Sequence, residues 1–316
     1  VRELGLGCLK AIPRLAPAVL AGALLAGLLG ASAVADASPP LVVAADGVLC
    51  DLVNTLAAER VTVICLVPPG VDPHQVPLRP RDRQVLAEAR LVLFNGYGLM
   101  PSLGRMGLGP RGTAVAEVAV PASPGRDPHV WHNPAQAAAM VEVVAARLSA
   151  VMDPAQRPGL QRRASDAKAV LTTLDRWIAD QIRTIPAESR VLVSEHRAFG
   201  SLARRYGLRE LPLIDDFAVG GVVRPAALSA MATAVQKSGT RQMFAESLPI
   251  SKALRRVSRG SGMPINPRPL IADGLAKDKS YVQTMTTNIC TFSNGQGGRC
   301  DEQEAHLLAR RWSSIR

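Results

Sequence analysis

At 316 residues, with 47% hydrophobic and 3% aromatic content, the chain is long enough to bury one large core or two medium ones, and too poor in aromatic residues for an all-β fold. Its formal charge of +11 comes mostly from arginines scattered through amphipathic stretches, with few rings to stack on bases. Nucleic acid is therefore not expected as a partner, and the charge reads as a solvated basic surface with weak attraction to anionic lipid.

Residues 1–37 read as a secretory signal peptide. Arg2, Lys10 and Arg14 precede an apolar run from Ala16 to Leu29, too short for a comfortable membrane span, and ASAVADA then offers cleavage after Ala33, Ala35 or Ala37. No twin arginine precedes the run, and Cys8 lies ahead of it, away from where a lipid would be attached at a cleavage site. Removing the leader leaves 34 basic against 24 acidic residues, a net +10, on a chain expected to be soluble and periplasmic. Cys50, Cys65, Cys290 and Cys300 remain, an even number suited to an oxidising compartment. Cys290 and Cys300 flank the Gly-rich TFSNGQGGR, which closes easily, so a disulfide is expected there; Cys50 and Cys65 either pair or serve as small buried hydrophobes. No Cys-x-x-Cys occurs, so a thiolate zinc site is not expected.

Beyond residue 37 strands and helices alternate. Strands are expected at 41–45, 60–67, 91–94 and 114–120, with helices at 48–58 and 81–89 between them, the pattern of a parallel sheet with crossover helices. A helix from Pro134 to about Met152 follows and breaks at Asp153-Pro154. Leu160, Ala164, Ala167, Leu171, Leu174, Ile178 and Ile182 then recur at three- and four-residue steps with no proline before Pro186, predicting one long helix of roughly 40 Å. The alternation resumes with strands at 190–194, 211–214, 242–245 and 269–272 and helices at 198–206, 225–236, 251–259 and 279–291. The fold class is α/β: a lobe at 38–153 and a lobe at 188–316, each a mainly parallel sheet flanked by helices, joined by a linking helix at 154–187.

Five histidines occur in the chain, and two of them end the same tripeptide: Asp72-Pro73-His74 in PPGVDPHQV and Asp127-Pro128-His129 in SPGRDPHVW. At about 5% usage for each preceding residue, that repetition by chance is on the order of one in ten thousand. Proline fixes its own φ and extends the residue before it, so each tripeptide presents an imidazole from a stiff loop, as a metal site requires. Both loops follow strand carboxyl ends, where ligands bind in parallel sheets, and His196, Glu246 and Asp273 fall at strand ends of the second lobe.

The ordered set LVPPGVDPH, LVLFNGYGL, DPHVWHNP, EHRAFGSLARRYGL, FAES and LIADGLAKDKSYVQTMTTNI resembles the metal-binding solute receptors of ATP-driven (ABC) zinc and manganese importers, over nearly all of the chain beyond residue 37. The resemblance implies two α/β lobes joined by one long helix that limits hinge opening, with the metal between them. It implies His74, His129, His196 and Asp273 as ligands, a monomer without catalytic residues, and a membrane permease as partner. Three departures stand out: His74 is followed by Gln75-Val76-Pro77 rather than Tyr-Glu, His132 stands where leucine is common, and Pro101 to Arg126 holds no histidine.

Three imidazoles and one carboxylate suit Zn2+, whereas Mn2+ prefers more oxygen; Glu195, beside His196, is the residue whose substitution by register would favour manganese. An exported zinc-dependent hydrolase is the alternative from another class, but the chain has neither His-Glu-x-x-His nor Gly-x-Ser-x-Gly. Of the remaining residues, His132 is expected to sit behind the ligands or on the surface, Glu246 to orient a ligand histidine, Trp131 to pack between lobes, and His306 to be solvated.

Overall fold

A computed structural model describes residues 38–217 and 223–315; the expected leader at 1–37 lies outside the described residues. The chain runs β1 (Leu41–Ala44), α1 (Gly47–Ala57), β2 (Thr62–Cys65), α2 (Pro80–Glu88), β3 (Leu91–Phe94), α3 (Pro101–Gly104), β4 (Gly112–Ala114), α4 (Val115–Ala119), α5 (Pro134–Val151) and α6 (Arg157–Arg183). It continues as β5 (Val191–Ser194), α7 (Gly200–Tyr206), β6 (Arg209–Pro212), α8 (Leu213–Phe217), α9 (Pro225–Gln236), α10 (Lys252–Ser261), α11 (Tyr281–Gly295) and α12 (Glu302–Ser313).

The first sheet is parallel throughout, in the order β2-β1-β3-β4. Val42, Val43, Leu91, Val92 and Leu93 are buried, as expected of strands covered by helices on both faces. Asp46 starts α1 by accepting the Leu49 N–H at 3.0 Å, and a disulfide from Cys50 to Cys65 staples that helix to the end of β2. The pair left open in the sequence is thus joined, and the expected Cys290–Cys300 disulfide is present.

Two strand expectations are corrected in kind. Residues 115–119 form a helix rather than continuing β4, because Val115 and Ala116 are both buried while Val118 is exposed, a pattern no period-two strand accommodates. The helical turn also brings Glu117 back to accept the Tyr97 N–H at 2.6 Å. Among the described residues of the second lobe only β5 and β6 pair as a ladder, also parallel, with β6 two residues earlier than expected and Leu213–Phe217 helical. Segments 242–245 and 269–272 run extended beside them but make only one bridge, Met243 to Ile265, and single bonds such as Leu270 N–H to Ala245 carbonyl at 2.9 Å. Pro264, Pro267 and Pro269 remove the donors a full ladder would need. Asn288 substitutes for a strand neighbour: its side chain accepts from Ile271 N–H at 2.9 Å and donates to Ile271 carbonyl at 2.8 Å.

The long helix is α6, 27 residues or roughly 40 Å, and all seven of its periodic positions from Leu160 to Ile182 are buried. Near its start Arg163 donates to the Leu56 carbonyl of α1 at 2.6 Å; near its end Gln181 accepts the Asp301 N–H at 2.8 Å, at the head of α12. That last helix, α12, buries Leu308 and Trp312 against the core. Asp51 of α1 accepts both the Trp312 indole N–H at 2.8 Å and the Tyr281 N–H at 3.0 Å, fastening α11 and α12 to the first lobe. Asp51→Ala would bury two donors without an acceptor and should lower stability by about 2–4 kcal/mol, with Asp51→Asn losing less. Urea unfolding at constant denaturant dependence measures the difference.

Candidate metal centre

The two Asp-Pro-His loops are built alike. In each, the aspartate carboxylate accepts the backbone N–H of the histidine two residues on, at 2.8 Å for Asp72–His74 and 3.0 Å for Asp127–His129. The intervening proline has no N–H to compete, so the turn closes on the histidine and fixes its Cα direction. Asp127 goes further: the same oxygen lies 2.9 Å from His129 Nδ1. That contact places the proton on Nδ1 and leaves the Nε2 lone pair directed into the cleft. Gly200 is required beside it, since a Cβ there would lie 2.9 Å from the Asp127 carboxylate.

His196 is prepared in the same way from the second lobe. Glu246 accepts its Nδ1–H at 2.5 Å with one oxygen and the backbone N–H groups of Glu195 and His196, at 2.8 and 3.1 Å, with the other. His196 Nε2 is buried with no hydrogen-bond partner in the protein. Asp273 completes the group: one carboxylate oxygen lies 3.0 Å from His129 Nε2 and 3.2 Å from His74 Nε2, and the other 3.6 Å from His196 Nε2.

His74 Nε2 and His129 Nε2 are 3.3 Å apart, and a ligand atom from each of the four residues lies within 4.8 Å of every other. A tetrahedron of metal–ligand bonds of about 2.0–2.1 Å has edges of about 3.3 Å, which the contacts among His74, His129 and Asp273 match, while His196 stands somewhat further out. All four residues singled out in the sequence are thus brought to one point. A cavity of about 480 Å³ opens beside them, bordered also by Glu195, Glu246 and Ser247.

The electrostatics are those of one anion among three bases. Burial would raise the Asp273 carboxyl, but the imidazoles of His129, His196 and His74 facing it hold it far below the usual carboxylate range. Burial opposes charge on His196 as well, yet Asp273 and Glu246 push its pKa up to about 11. His129 is shifted upward too, its burial outweighed by Asp127 and Asp273. Without a cation the site holds protons, and a bound cation must displace them.

His132 lies neither at the surface nor among the four. It is fully buried, stacked on Phe199 with ring centroids 4.7 Å apart, and its Nε2 donates to the Ala272 carbonyl at 2.8 Å. It therefore braces the residue before Asp273 from the first lobe. Trp131 lies buried beside His129, and its backbone carbonyl accepts the Tyr281 hydroxyl at 2.6 Å. His306 is exposed, as expected.

Burial depresses His132 from 6.5 to about 4. Between those pH values the unfolded chain binds a proton that the folded chain refuses, so stability is full above about 6.5 and falls as the pH drops toward 4. The loss amounts to about 3 kcal/mol. Unfolding measured at pH 7 and pH 4 should show that extra loss in the wild type relative to His132→Gln, which keeps a donor for Ala272 but does not titrate.

The model of the family described as "Zinc-uptake complex component A periplasmic" matches residues 42–295. The chain is 28% identical over 270 residues to the "Manganese-binding lipoprotein MntA" of Halalkalibacterium halodurans, covering 80% of this chain and 87% of that protein. It is 24% identical over 275 residues to the "Manganese ABC transporter substrate-binding lipoprotein PsaA" of Streptococcus mitis, covering 80% and 88%. The solved structure of the periplasmic zinc binding protein TroA from Treponema pallidum superposes with a TM-score of 0.74 at 27% identity, over 82% of this chain and 99% of that one. The chain belongs to the zinc-uptake component A family.

Proposed function

We propose that this family member is an extracytoplasmic receptor that captures one divalent metal ion, zinc in preference to manganese, and delivers it to the membrane permease of an ABC importer. The observation that carries the reading is the convergence of three imidazole nitrogens and one carboxylate within 4.8 Å of one another, with Asp127 and Glu246 holding two of the imidazoles in the metal-accepting tautomer. In this reading His74, His129, His196 and Asp273 are the ligands and the ion is cargo. Residues 38–153 and 188–316 serve as the two lobes, with 154–187 as the link between them.

Zinc is favoured by the donor set, since neutral imidazoles with one carboxylate match a borderline cation better than the harder Mn2+. Manganese is the second reading, favoured by the names of MntA and PsaA and by the carboxylates of Glu195 and Glu246 at the cavity border. Four protein donors fill a zinc shell and leave no position for a reactive water, so the site is suited to binding and release rather than to hydrolysis. Every donor comes from one chain, so a monomer suffices.

Capture proceeds by exchange of protons for the ion. His196 holds a proton up to about pH 11 in the metal-free cleft, so binding at neutral pH expels it. Affinity should therefore fall as pH falls, by about tenfold per pH unit for each proton displaced. Calorimetry in buffers of different ionisation enthalpy should register at least one proton released per ion; heats independent of buffer would contradict the exchange. His129→Ala should abolish stoichiometric zinc binding, and Glu246→Ala should weaken it by about 10–100-fold through loss of the His196 hydrogen bond. Unchanged calorimetric affinity in His129→Ala would reject the ligand assignment. Elemental analysis of protein recovered from its own compartment distinguishes zinc from manganese.

A further inference from the structure

The positive charge of the chain is concentrated in one region. Between Asp216 and Asp273 there are eight lysines and arginines against a single acid, Glu246, which is engaged with His196. Eight less one gives +7 from that segment, out of +11 for the whole chain.

Four of the eight stand on α10 at Lys252, Arg255, Arg256 and Arg259, the i, i+3, i+4, i+7 positions of one helix face. All four are exposed, while Leu254, Val257 and Ser261 fill the buried face. Helix α9, packed against α10, has no acidic residue between Pro225 and Gln236, and among the described residues none of the four cations forms an ion pair. Like charges at these spacings destabilise a helix, so the stripe is not there for the stability of the fold.

Leu248, four residues before the helix begins, is 62% exposed and is the most exposed large hydrophobic side chain among the described residues. Its neighbour Ser247 borders the metal cavity. The patch thus combines a row of cations about 10 Å long with one apolar side chain at its edge, beside the mouth of the cleft. It has no aromatic residue and no apolar centre of the kind that a stable protein interface requires.

We infer that the outer face of α10, with Leu248, is a docking surface for anionic phospholipid. Cations on this face lie against the headgroup layer, and Leu248 reaches its apolar margin. The contact is reversible and sensitive to salt, and it holds the cleft mouth near the membrane whichever metal the cleft carries.

Sedimentation of the metal-loaded protein with vesicles tests this. Binding is expected to vesicles containing phosphatidylglycerol and not to phosphatidylcholine alone, and to disappear near about 0.5 M salt. Each basic residue at such a surface contributes about a factor of five, so reversing Lys252, Arg255, Arg256 and Arg259 to Glu should lower partitioning by at least about a hundredfold. Reversing the equally exposed Arg81, Arg83, Arg90 and Arg105 changes net charge by the same amount and should cost far less. Leu248→Ser should weaken binding without altering its salt dependence. Unchanged zinc affinity and unfolding midpoint establish that each variant is folded. Equal loss in the two quadruple variants would overturn the proposal in favour of net charge alone. Retention on an acidic protein, with no binding to vesicles, would overturn it in favour of a protein partner.

Discussion

Three imidazoles converge on a single carboxylate, and most of the surrounding structure serves to keep that arrangement in place. Asp273 comes from the second lobe, whereas His74 and His129 come from the first, so the charge interaction that completes the site also spans the cleft. A carboxylate in that position cannot be left to a mobile loop, and several contacts hold it. Asn288 clamps Ile271 with both ends of its amide, and His132 fastens Ala272 across the cleft. Tyr281 ties the helix that follows to the Trp131 carbonyl and to Asp51. These are neutral or fully compensated contacts, so they position the anion without competing for its charge.

The buried imidazole of His132 shows how environment separates chemically identical side chains. It lies three residues from His129 and is equally buried. His129 has a carboxylate on each side and is shifted toward the charged form; His132 has a backbone carbonyl and an aromatic ring and is shifted toward the neutral form. One faces the Asp273 carboxylate and the other braces the backbone at Ala272. Sequence spacing alone could not distinguish them, because the distinction rests on which residues of the second lobe lie opposite.

Much of the site was legible because it depends on local rules. The repeated Asp-Pro-His carries its own turn geometry, and the carboxylates found to accept the histidine N–H groups are those of the motif itself. The periodicity from Leu160 to Ile182 likewise needs only the helix repeat, and every one of its positions is buried. What escaped depends on distant partners. The stretch after Ala114 looked like a strand because valine and alanine alternate there, but the ladder to β3 ends at Phe94 and a single bond, Ala116 N–H to the Asn95 carbonyl at 2.8 Å, follows it. The segments at 242–245 and 269–272 have strand-like composition, yet the prolines between them leave single hydrogen bonds where a ladder was expected. Helix α12 has an ordinary charged appearance, and its burial follows from an acceptor, Asp51, more than 250 residues away.

The two sides of the cleft differ in rigidity. His129 has only 3% of its side chain exposed and is held by a carboxylate within its own turn, whereas His196 is 28% exposed and is held by Glu246, which stands on a segment without a strand ladder. The support of His196 therefore rests on less regular structure than that of His129. From Glu246 the chain passes through Ser247 and Leu248 to Ser251, whose hydroxyl caps α10 by accepting the Leu254 N–H at 3.1 Å. Five residues separate Glu246, the support of His196, from Lys252, the first cation of the basic helix. The support of His196 and the basic face of α10 thus share one short segment.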